Sequence, residues 1–268
     1  MPLLAAALII FGPIMGICLP LTKDKGMPGP VFRVLTCNLQ TGDYNAAALS
    51  TLIRECGADI VALQECTPEL KIDLPKEWQT VQDGELAILS RYPLQKSGVK
   101  QAFHPPHQWP RTTLLQCIVS VPWRKLAFNT VHLPSPRYGL QTILDRTTLF
   151  SLSRKDLLIE ETAYRRRVSQ EMQQAVSLSS LPVIVAGDFN MPADSTIYRE
   201  VWGRYLNAFS EKGTGYGRTV FESMRGIKVG VRIDHILAGN GLGIRVCETG
   251  PDVGSDHLPL IADIGGQK

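Results

Sequence analysis

The sequence predicts an α/β protein whose folded domain spans residues 31–264. Short β-branched stretches alternate with stretches of helical spacing to the end of the chain, without a short-period repeat or low-complexity tract. The composition, 44% hydrophobic and 20% charged, is that of an ordinary globular chain and excludes a disordered tail, a collagen-like repeat and a coiled coil. A formal net charge of only +3 disfavours a general electrostatic binder of nucleic acid.

The first thirty residues differ in kind from the rest of the chain. No side chain within residues 1–22 is charged, and Leu3–Leu21 as a helix would span about 28 Å, close to the thickness of a bilayer core. We therefore expect residues 1–22 to be a hydrophobic membrane anchor and the Pro/Gly-rich residues 23–30 to be a linker. A buried hydrophobic helix is the alternative. The anchor would also fit the last span of a longer membrane protein.

Two helices and eight strands are predicted within the domain. Residues 46–56 have helical spacing, and Gly57 stands where a C-cap glycine belongs. Residues 154–178 form the second helix, with a core stripe of Leu157, Leu158, Val168, Met172 and Val176. The predicted strands are VFRVLTCN (31–38), DIVALQE (59–65), LAILSR (86–91), TTLLQCIVSV (112–121), KLAFNTVHL (125–133), VIVAGDFN (183–190), VRIDHIL (231–237) and LPLIADI (258–264).

Polar side chains stand at or near the ends of these strands, where the sites of layered α/β proteins gather. Four of them are carboxylates, which cannot all stay ionised close together without raised pKa values or a bound cation. Oxygen ligands of this kind suit Mg²⁺, Mn²⁺ or Ca²⁺. The alternative is that each carboxylate merely caps a loop. The full set is Asn38, Glu65, His132, Asp188, Asn190, Asp234, Asp256 and His257.

The six cysteines do not form the close pairs expected of a zinc site. Cys56 and Cys66 lie ten residues apart and would be able to form a disulfide in an oxidising compartment. Free thiols are the preferred interpretation, because free Cys is commonly a small buried hydrophobe, and the disulfide is the alternative.

Seven short blocks carry the most specific pattern in the chain. They are TCNLQ (36–40), DIVALQE (59–65), GELAILSRYPL (84–94), NTVHL (129–133), VAGDFN (185–190), RIDHIL (232–237) and GSDHLP (254–259). In sequence and order they resemble the endonuclease/exonuclease/phosphatase family, the group of deoxyribonuclease I, abasic-site endonucleases, neutral sphingomyelinases and inositol polyphosphate phosphatases. The resemblance implies a four-layer sandwich of two mixed β-sheets flanked by helices, and a divalent-metal-dependent phosphoester hydrolase.

The resemblance also implies a metal site and a base. Glu65 resembles the principal Mg²⁺ ligand, with Asn38 beside it and Asp256 completing the cluster; Mn²⁺ is the alternative cation. Asp188 would orient or deprotonate the attacking water, and Asn190 would hold a phosphate oxygen. These last two lie two residues apart, so in an extended strand both side chains would leave the same face.

Two histidines are implied to contact the substrate. His257 would be the partner of the scissile phosphate, with Asp234 bonded to its other ring nitrogen to fix the tautomer. His132 would be a second cationic donor to the pentacoordinate phosphorus, in an in-line displacement by water. His235 follows Asp234 directly, and strand alternation turns it away from the site.

Departures from the subfamilies narrow the substrate. Abasic-site endonucleases typically have an aspartate where this chain has Gln40 and a tyrosine where it has His132. Both differences argue against abasic-site cleavage, and the first also weakens the case for a second metal. A DNase-like enzyme acting on DNA or RNA is the preferred hypothesis. A sphingomyelinase-like lipid or small-molecule phosphoesterase at a membrane is the alternative, and a silent binding module is a third possibility.

The expected partners are a phosphoester substrate, nucleic acid above all, and a membrane held through the N-terminus, with a monomeric catalytic domain. Lys23 and Lys25 favour a cytoplasmic domain, whereas similar bacterial membrane-tethered proteins suggest an extracytoplasmic one. Arg111 and Arg137 either face the substrate or are solvated surface charges. Residues 165–167, three arginines, are interpreted as the outer face of a helix.

Overall fold

The structure is a computed structural model that describes residues 16–19, 29–103, 110–137, 152–224, 227–239 and 241–266. Its helices are α1 (Ala46–Glu55), α2 (Leu152–Ser177), α3 (Thr196–Trp202) and α4 (Ala208–Lys212). Its strands are β1 (Val31–Asn38), β2 (Ile60–Gln64), β3 (Gln79–Asp83), β4 (Leu86–Ser90), β5 (Leu94–Phe103), β6 (Pro110–Val121), β7 (Arg124–His132), β8 (Val183–Asp188), β9 (Leu206–Asn207), β10 (Val220–Met224), β11 (Ile227–Val231), β12 (Asp234–Ala238), β13 (Leu242–Thr249) and β14 (Leu260–Gly266).

The strands form two six-stranded sheets and a separate hairpin. The first sheet has the order β13-β14-β1-β2-β4-β3, the second has the order β5-β6-β7-β8-β12-β9, and the hairpin joins β10 to β11. Each sheet has one parallel pair, β1 with β2 and β7 with β8, among antiparallel neighbours. Both sheets are therefore mixed, as the fold prediction requires.

Three apolar clusters hold the layers together. The largest lies between the sheets, where Phe32 and Ile60 of the first sheet share a cluster with Phe128 and Ile236 of the second. Another packs the second sheet against α2 and α3, and a third packs the first sheet against α1. The order of layers is helix, sheet, sheet, helix, so the predicted sandwich fold is confirmed.

The core stripe predicted for the long helix is only half right. Val168, Met172 and Val176 are buried against the second sheet, at intervals of one helical turn. Leu157, by contrast, has 53% of its surface exposed, and Leu158 is only half-buried. Among the side chains described over residues 155–163, none belongs to the core cluster, so the stripe does not extend to them.

Two predicted strands end differently from what the alternating pattern indicated. The predicted strand over residues 231–237 is broken after Val231, since β11 belongs to the hairpin and β12 to the second sheet. The predicted strand over residues 183–190 stops at Asp188. The sequence analysis also missed strands over 79–83, 94–103 and 242–249, which are polar or half-exposed along much of their length.

Most of the predicted anchor and linker, residues 1–15 and 20–28, lies outside the described residues, so the boundaries proposed for those segments stay predictions. The described part of the anchor, residues 16–19, lies against the domain: the amides and carbonyls of Cys18 and Gly215 form two hydrogen bonds, of 2.7 and 2.8 Å. Among the residues that the structure describes, no helix has the length and apolar character needed to cross a membrane.

All six cysteines lie within the described part of the chain, and all are free thiols. Cys66 is buried and Cys56 is half-buried at the C-cap of α1. Cys56 and Cys66 therefore do not form a disulfide in this structure.

Candidate functional site

Strand pairing brings the predicted site residues to one edge of both sheets. In the first sheet, Asn38 is the register partner of Gln64, so the following residue, Glu65, emerges beside it. In the second sheet, Asp188 has two register partners, His132 on one side and Asp234 on the other. The parallel pairs thus place the ends of four strands together.

The close approach of β7 and β8 depends on a glycine. Gly187 has φ +149°, and a Cβ atom placed there would collide with the carbonyl oxygen of Val131. Only glycine tolerates both the backbone conformation and the contact. Gly187 therefore sets the distance between His132 and Asp188.

Two of the predicted site residues have left-handed backbones that are uncommon outside glycine: Glu65 with φ 54° and Asn190 with φ 52°. Residues held in such conformations cluster at functional sites, because the surrounding contacts must hold them there. Strand alternation was expected to place the side chains of Asp188 and Asn190 on the same face. That reason is wrong, since Asn190 lies beyond the end of the strand and has a left-handed backbone. Its side chain reaches Asp188 by a turn.

His257 and Asp234 form a buried pair. Nδ1 of His257 lies 2.9 Å from Oδ2 of Asp234, and Asp234 has no exposed surface. Burial opposes the charged imidazolium, but the carboxylates of Asp234, Asp188 and Asp256 outweigh it and raise the pKa of His257 to about 10. Its other nitrogen, Nε2, lies 4.0 Å from Asp188 Oδ2. The predicted hydrogen bond is present, and the surrounding carboxylates favour the protonated ring.

His132 is held in the same manner by a residue that the sequence analysis did not single out. Its Nδ1 lies 2.9 Å from Oε1 of Glu85, which also pairs with Arg111. Its Nε2 lies 3.7 Å from Asp188 Oδ2 and 3.8 Å from Glu65 Oε1. Burial lowers the pKa of His132, yet the hydrogen bond and charge of Glu85 and the nearby carboxylates leave it raised. Arg111 is thereby an ion-pair partner of Glu85.

Asp188 lies at the centre of the group. Its Oδ1 accepts the Asn190 amide at 2.7 Å, and its Oδ2 accepts the side-chain amides of Asn38 and Asn190, both at 3.2 Å. Burial and the neighbouring charge of Asp234 raise the pKa of Asp188 to about 6, although both histidines and the Asn190 amide oppose the shift. A carboxylate with a pKa near neutrality suits a general base.

Asn38 and Glu65, the first two predicted metal ligands, are in direct contact. Asn38 Nδ2 donates to Glu65 Oε1 at 3.1 Å, and the Thr41 hydroxyl donates to Glu65 Oε2 at 2.7 Å. Asp256 approaches from the loop before β14, with 44% of its side chain exposed. Gln40 links the two loops, because its amide donates to Asn38 Oδ1 at 2.9 Å and its Oε1 accepts the Asp256 amide at 3.0 Å.

The residues present fit a hard divalent cation. Burial raises the pKa of Asp256, with the charge of Glu65 adding to the rise and the charge of His257 opposing it. All three predicted ligands offer oxygen atoms, which Mg²⁺ and Mn²⁺ prefer. Within the described residues, the tightest group of ionisable ligand atoms is a different one, Asp188, Asp234 and His257, whose atoms lie within 4.8 Å of one another. Within that group, His257 and Asp234 are already hydrogen-bonded to each other.

His235 points away from the site, as strand alternation predicts. Its Nε2 lies 2.9 Å from the Met191 carbonyl and its Nδ1 lies 3.1 Å from Asn207 Nδ2. Burial, together with the charge of Arg232, lowers its pKa to about 3, so the ring is neutral. His235 is a packing residue of the second sheet.

The arginines singled out in the sequence have different surroundings, and one of them departs from its predicted place. Arg137 lies close enough to Asp256 for its charge to act on that carboxyl and oppose the rise in its pKa. Arg166 pairs with Glu200 on the exposed surface, as predicted for an outer face. For Arg165 that interpretation is wrong, because its guanidinium donates to the carbonyls of Pro134 and Asn190 at 3.0 and 2.7 Å. No period or motif in the sequence signals this contact.

Comparison with known families gives one match. The model of the endonuclease/exonuclease/phosphatase family matches residues 35–257, which include all eight predicted site residues. A search of curated protein sequences found no match.

Solved structures with the same fold cover most of the chain. A humanized TDP2 from D. rerio is 17% identical over 88% of this chain and 99% of its own, with a TM-score of 0.62. D. rerio TDP2 in complex with a single-strand DNA product is 18% identical, over 88% and 100% of the two chains, with a TM-score of 0.61. An endonuclease/exonuclease/phosphatase protein from Beutenbergia cavernae is 16% identical, over 89% and 72%, with a TM-score of 0.59. At these identities the likeness establishes the shared fold alone.

Proposed function

This chain belongs to the endonuclease/exonuclease/phosphatase family, and we propose that it is a divalent-metal-dependent phosphodiesterase that cleaves nucleic acid. Membership supports the broader statement that it is a phosphoesterase hydrolase. The observation that carries the proposal is the convergence of two imidazoles on one carboxylate. His132 and His257 are each held at Nδ1 by a carboxylate, and each presents Nε2 to Asp188.

Asp188 is suited to orient the attacking water and accept its proton. Its pKa of about 6 keeps it largely ionised at neutral pH, and three amide hydrogen bonds fix its direction. A positioned base of this kind contributes about 10² to 10⁴ in rate.

The two histidines are suited to the charge that develops on phosphorus. Because His257 and His132 both have raised pKa values, each can donate a hydrogen bond from Nε2 to a phosphate oxygen. Their partners Asp234 and Glu85 hold the rings in place, so little reorganisation is needed when the pentacoordinate state forms.

Asn38, Glu65 and Asp256 would hold the cation, Mg²⁺ or Mn²⁺. When bound, it would supply positive charge to the phosphate oxygens. The protein's own contribution is the arrangement of the oxygen ligands, which Thr41 and Gln40 fix by hydrogen bonds.

Nucleic acid is preferred because a protein with the same fold, D. rerio TDP2, was solved with a single-strand DNA product. Gln40 and His132 depart from the abasic-site pattern, but the His132 form resembles the deoxyribonuclease, sphingomyelinase and phosphatase branches alike. The second candidate is a lipid or small-molecule phosphoester at a membrane. The uncharged residues 1–22 favour it.

The substrate is tested by incubating the purified wild-type protein with Mg²⁺ or Mn²⁺ and four substrates in parallel. These are plasmid DNA, RNA, sphingomyelin vesicles and an inositol polyphosphate. The proposal expects cleavage of DNA or RNA. Turnover of the lipid or the inositol phosphate with no cleavage of nucleic acid would instead establish the second candidate.

Replacing Glu65 with glutamine tests the metal site. Because the change removes one charged oxygen ligand, we expect turnover at low Mg²⁺ to fall by about 10²-fold or more. A Mg²⁺ titration of the initial rate measures the effect, and Glu77→Gln, an exposed loop residue, is the control. Near wild-type activity of Glu65→Gln at low Mg²⁺ would show that Glu65 is not a ligand.

Removal of residues 1–29 tests the proposed anchor, and with it the location of the domain at a membrane. A chain beginning at Pro30 is expected to be more soluble, to leave the membrane fraction and to keep its activity on a soluble substrate, because the first predicted site residue is Asn38. Thermal unfolding and membrane fractionation measure the outcome. Loss of folding would favour a packed N-terminal segment, for which the hydrogen bonds between Cys18 and Gly215 are a specific observation.

A further inference from the structure

Arg165 connects helix α2 to the two loops that follow the catalytic strands of the second sheet. Its Nε donates to the carbonyl of Pro134 at 3.0 Å, and its Nη2 donates to the carbonyl of Asn190 at 2.7 Å. Pro134 follows His132 by two residues, and Asn190 follows Asp188 by two residues. One half-buried guanidinium therefore holds both loops at once.

The Asn190 end of this contact has a strained backbone. With φ 52°, Asn190 has the left-handed conformation, which a residue with a side chain adopts only when its surroundings hold it. In that conformation its amide donates to Asp188 Oδ1 at 2.7 Å, while its side chain donates to Leu133 O at 2.8 Å and Asp188 Oδ2 at 3.2 Å. The orientation of the Asp188 carboxylate thus depends on the backbone conformation of Asn190, whose carbonyl Arg165 holds.

We infer that Arg165 is a positioning residue for the proposed hydrolysis, acting through Asn190 on Asp188 and requiring the two-pronged guanidinium. The inference rests on the proposed function for its effect on turnover. A planar guanidinium offers donors in a fixed fork, whereas the lysine ammonium is a single point charge on a flexible stem. Lysine at this position would keep the charge but satisfy the two carbonyls poorly.

The neighbouring arginines provide an internal comparison on the same helix. Arg166 pairs with the exposed Glu200 at 3.0 Å, and the guanidinium of Arg167 lies over the Tyr164 ring at 5.4 Å. Neither contact involves a loop of the site. Arg166→Ala is therefore a matched control for Arg165→Ala.

The test measures kcat and KM of Arg165→Ala, Arg165→Lys and Arg166→Ala on a soluble phosphodiester, together with amide hydrogen exchange at Asn190 by NMR. We expect both Arg165 variants to lose about 10- to 100-fold in kcat, the range found for partners that orient reacting groups, with KM changed less than about threefold. Exchange at Asn190 is expected to accelerate. Added guanidinium should restore part of the kcat of Arg165→Ala and leave Arg166→Ala unchanged.

Two results would overturn the inference. One is wild-type kcat in a folded Arg165→Ala or Arg165→Lys protein, which would mean a purely structural contact. The other is unchanged exchange at Asn190 in the variants, which would mean that Arg165 does not act through that residue. If Arg165→Ala does not fold, Arg165→Lys decides the question, because it keeps the aliphatic stem and the charge. Failure of the proposed function would be distinguishable from failure of this inference. In that case the wild type would cleave no phosphodiester, and exchange at Asn190 would still report whether Arg165 holds the loop.

Discussion

Replacing His257 with alanine is expected to lower kcat by about 10²-fold or more, the usual scale for a positioned acid or base. The loss should fall on kcat more than on KM, because hydrogen bonds from His257 gain strength as charge develops in the transition state. Asp234→Asn should give a related loss, since it removes the carboxylate that holds Nδ1 at 2.9 Å. Steady-state kinetics on a phosphodiester measure both variants.

The double variant provides the sharper comparison. If Asp234 acts only through His257, the protein carrying both changes should be little worse than the worse single variant. Independent, multiplicative losses would contradict the pairing. His235→Ala is the control, because it removes a buried ring bonded to Met191 and Asn207 and should cost stability but little chemistry. A loss of kcat in a folded His235→Ala protein equal to that of His257→Ala would mean that the wrong histidine has been assigned.

Replacing Asp188 with asparagine is expected to lower kcat by about 10³-fold, within the range of a general base. The amide cannot accept a proton from water, and it has one acceptor oxygen where the carboxylate accepts three hydrogen bonds. The loss is measured at saturating Mg²⁺, with thermal unfolding to establish that the variant is folded. Asp156→Asn, an exposed change on α2, is the matched control. Activity within a few-fold of wild type would remove Asp188 from the mechanism.

The sequence predicts the layers well because central strands of each sheet are largely apolar. β2, β4 and β8 are fully buried, and continuous apolar runs of this length are a direct sign of buried strands. β5 is largely exposed and has no such run, so its place at the edge of the second sheet follows only from pairing with β6. Edge strands depend on tertiary contacts that local patterns do not encode.

The site is predicted in part, and the missed residues share one property. Glu85 stands in one of the quoted blocks and Arg165 in a predicted helix, yet each acts through a partner 25 or more positions away along the chain, His132 and Asn190 respectively. No local period reports such contacts. Asn190 shows the converse, because its proximity to Asp188 was expected from strand alternation but arises from a left-handed turn beyond the strand.

Nicking of supercoiled plasmid DNA by the wild-type protein, first in EDTA and then after Mg²⁺ is restored, tests the central claim most directly. The proposed function predicts intact substrate in EDTA, nicked plasmid or, in a parallel reaction, cleaved RNA once Mg²⁺ is present, and intact substrate in both conditions for Asp188→Asn. Cleavage that continues in EDTA, cleavage by Asp188→Asn at the wild-type rate, or plasmid and RNA both left intact by the wild type in Mg²⁺ would contradict it.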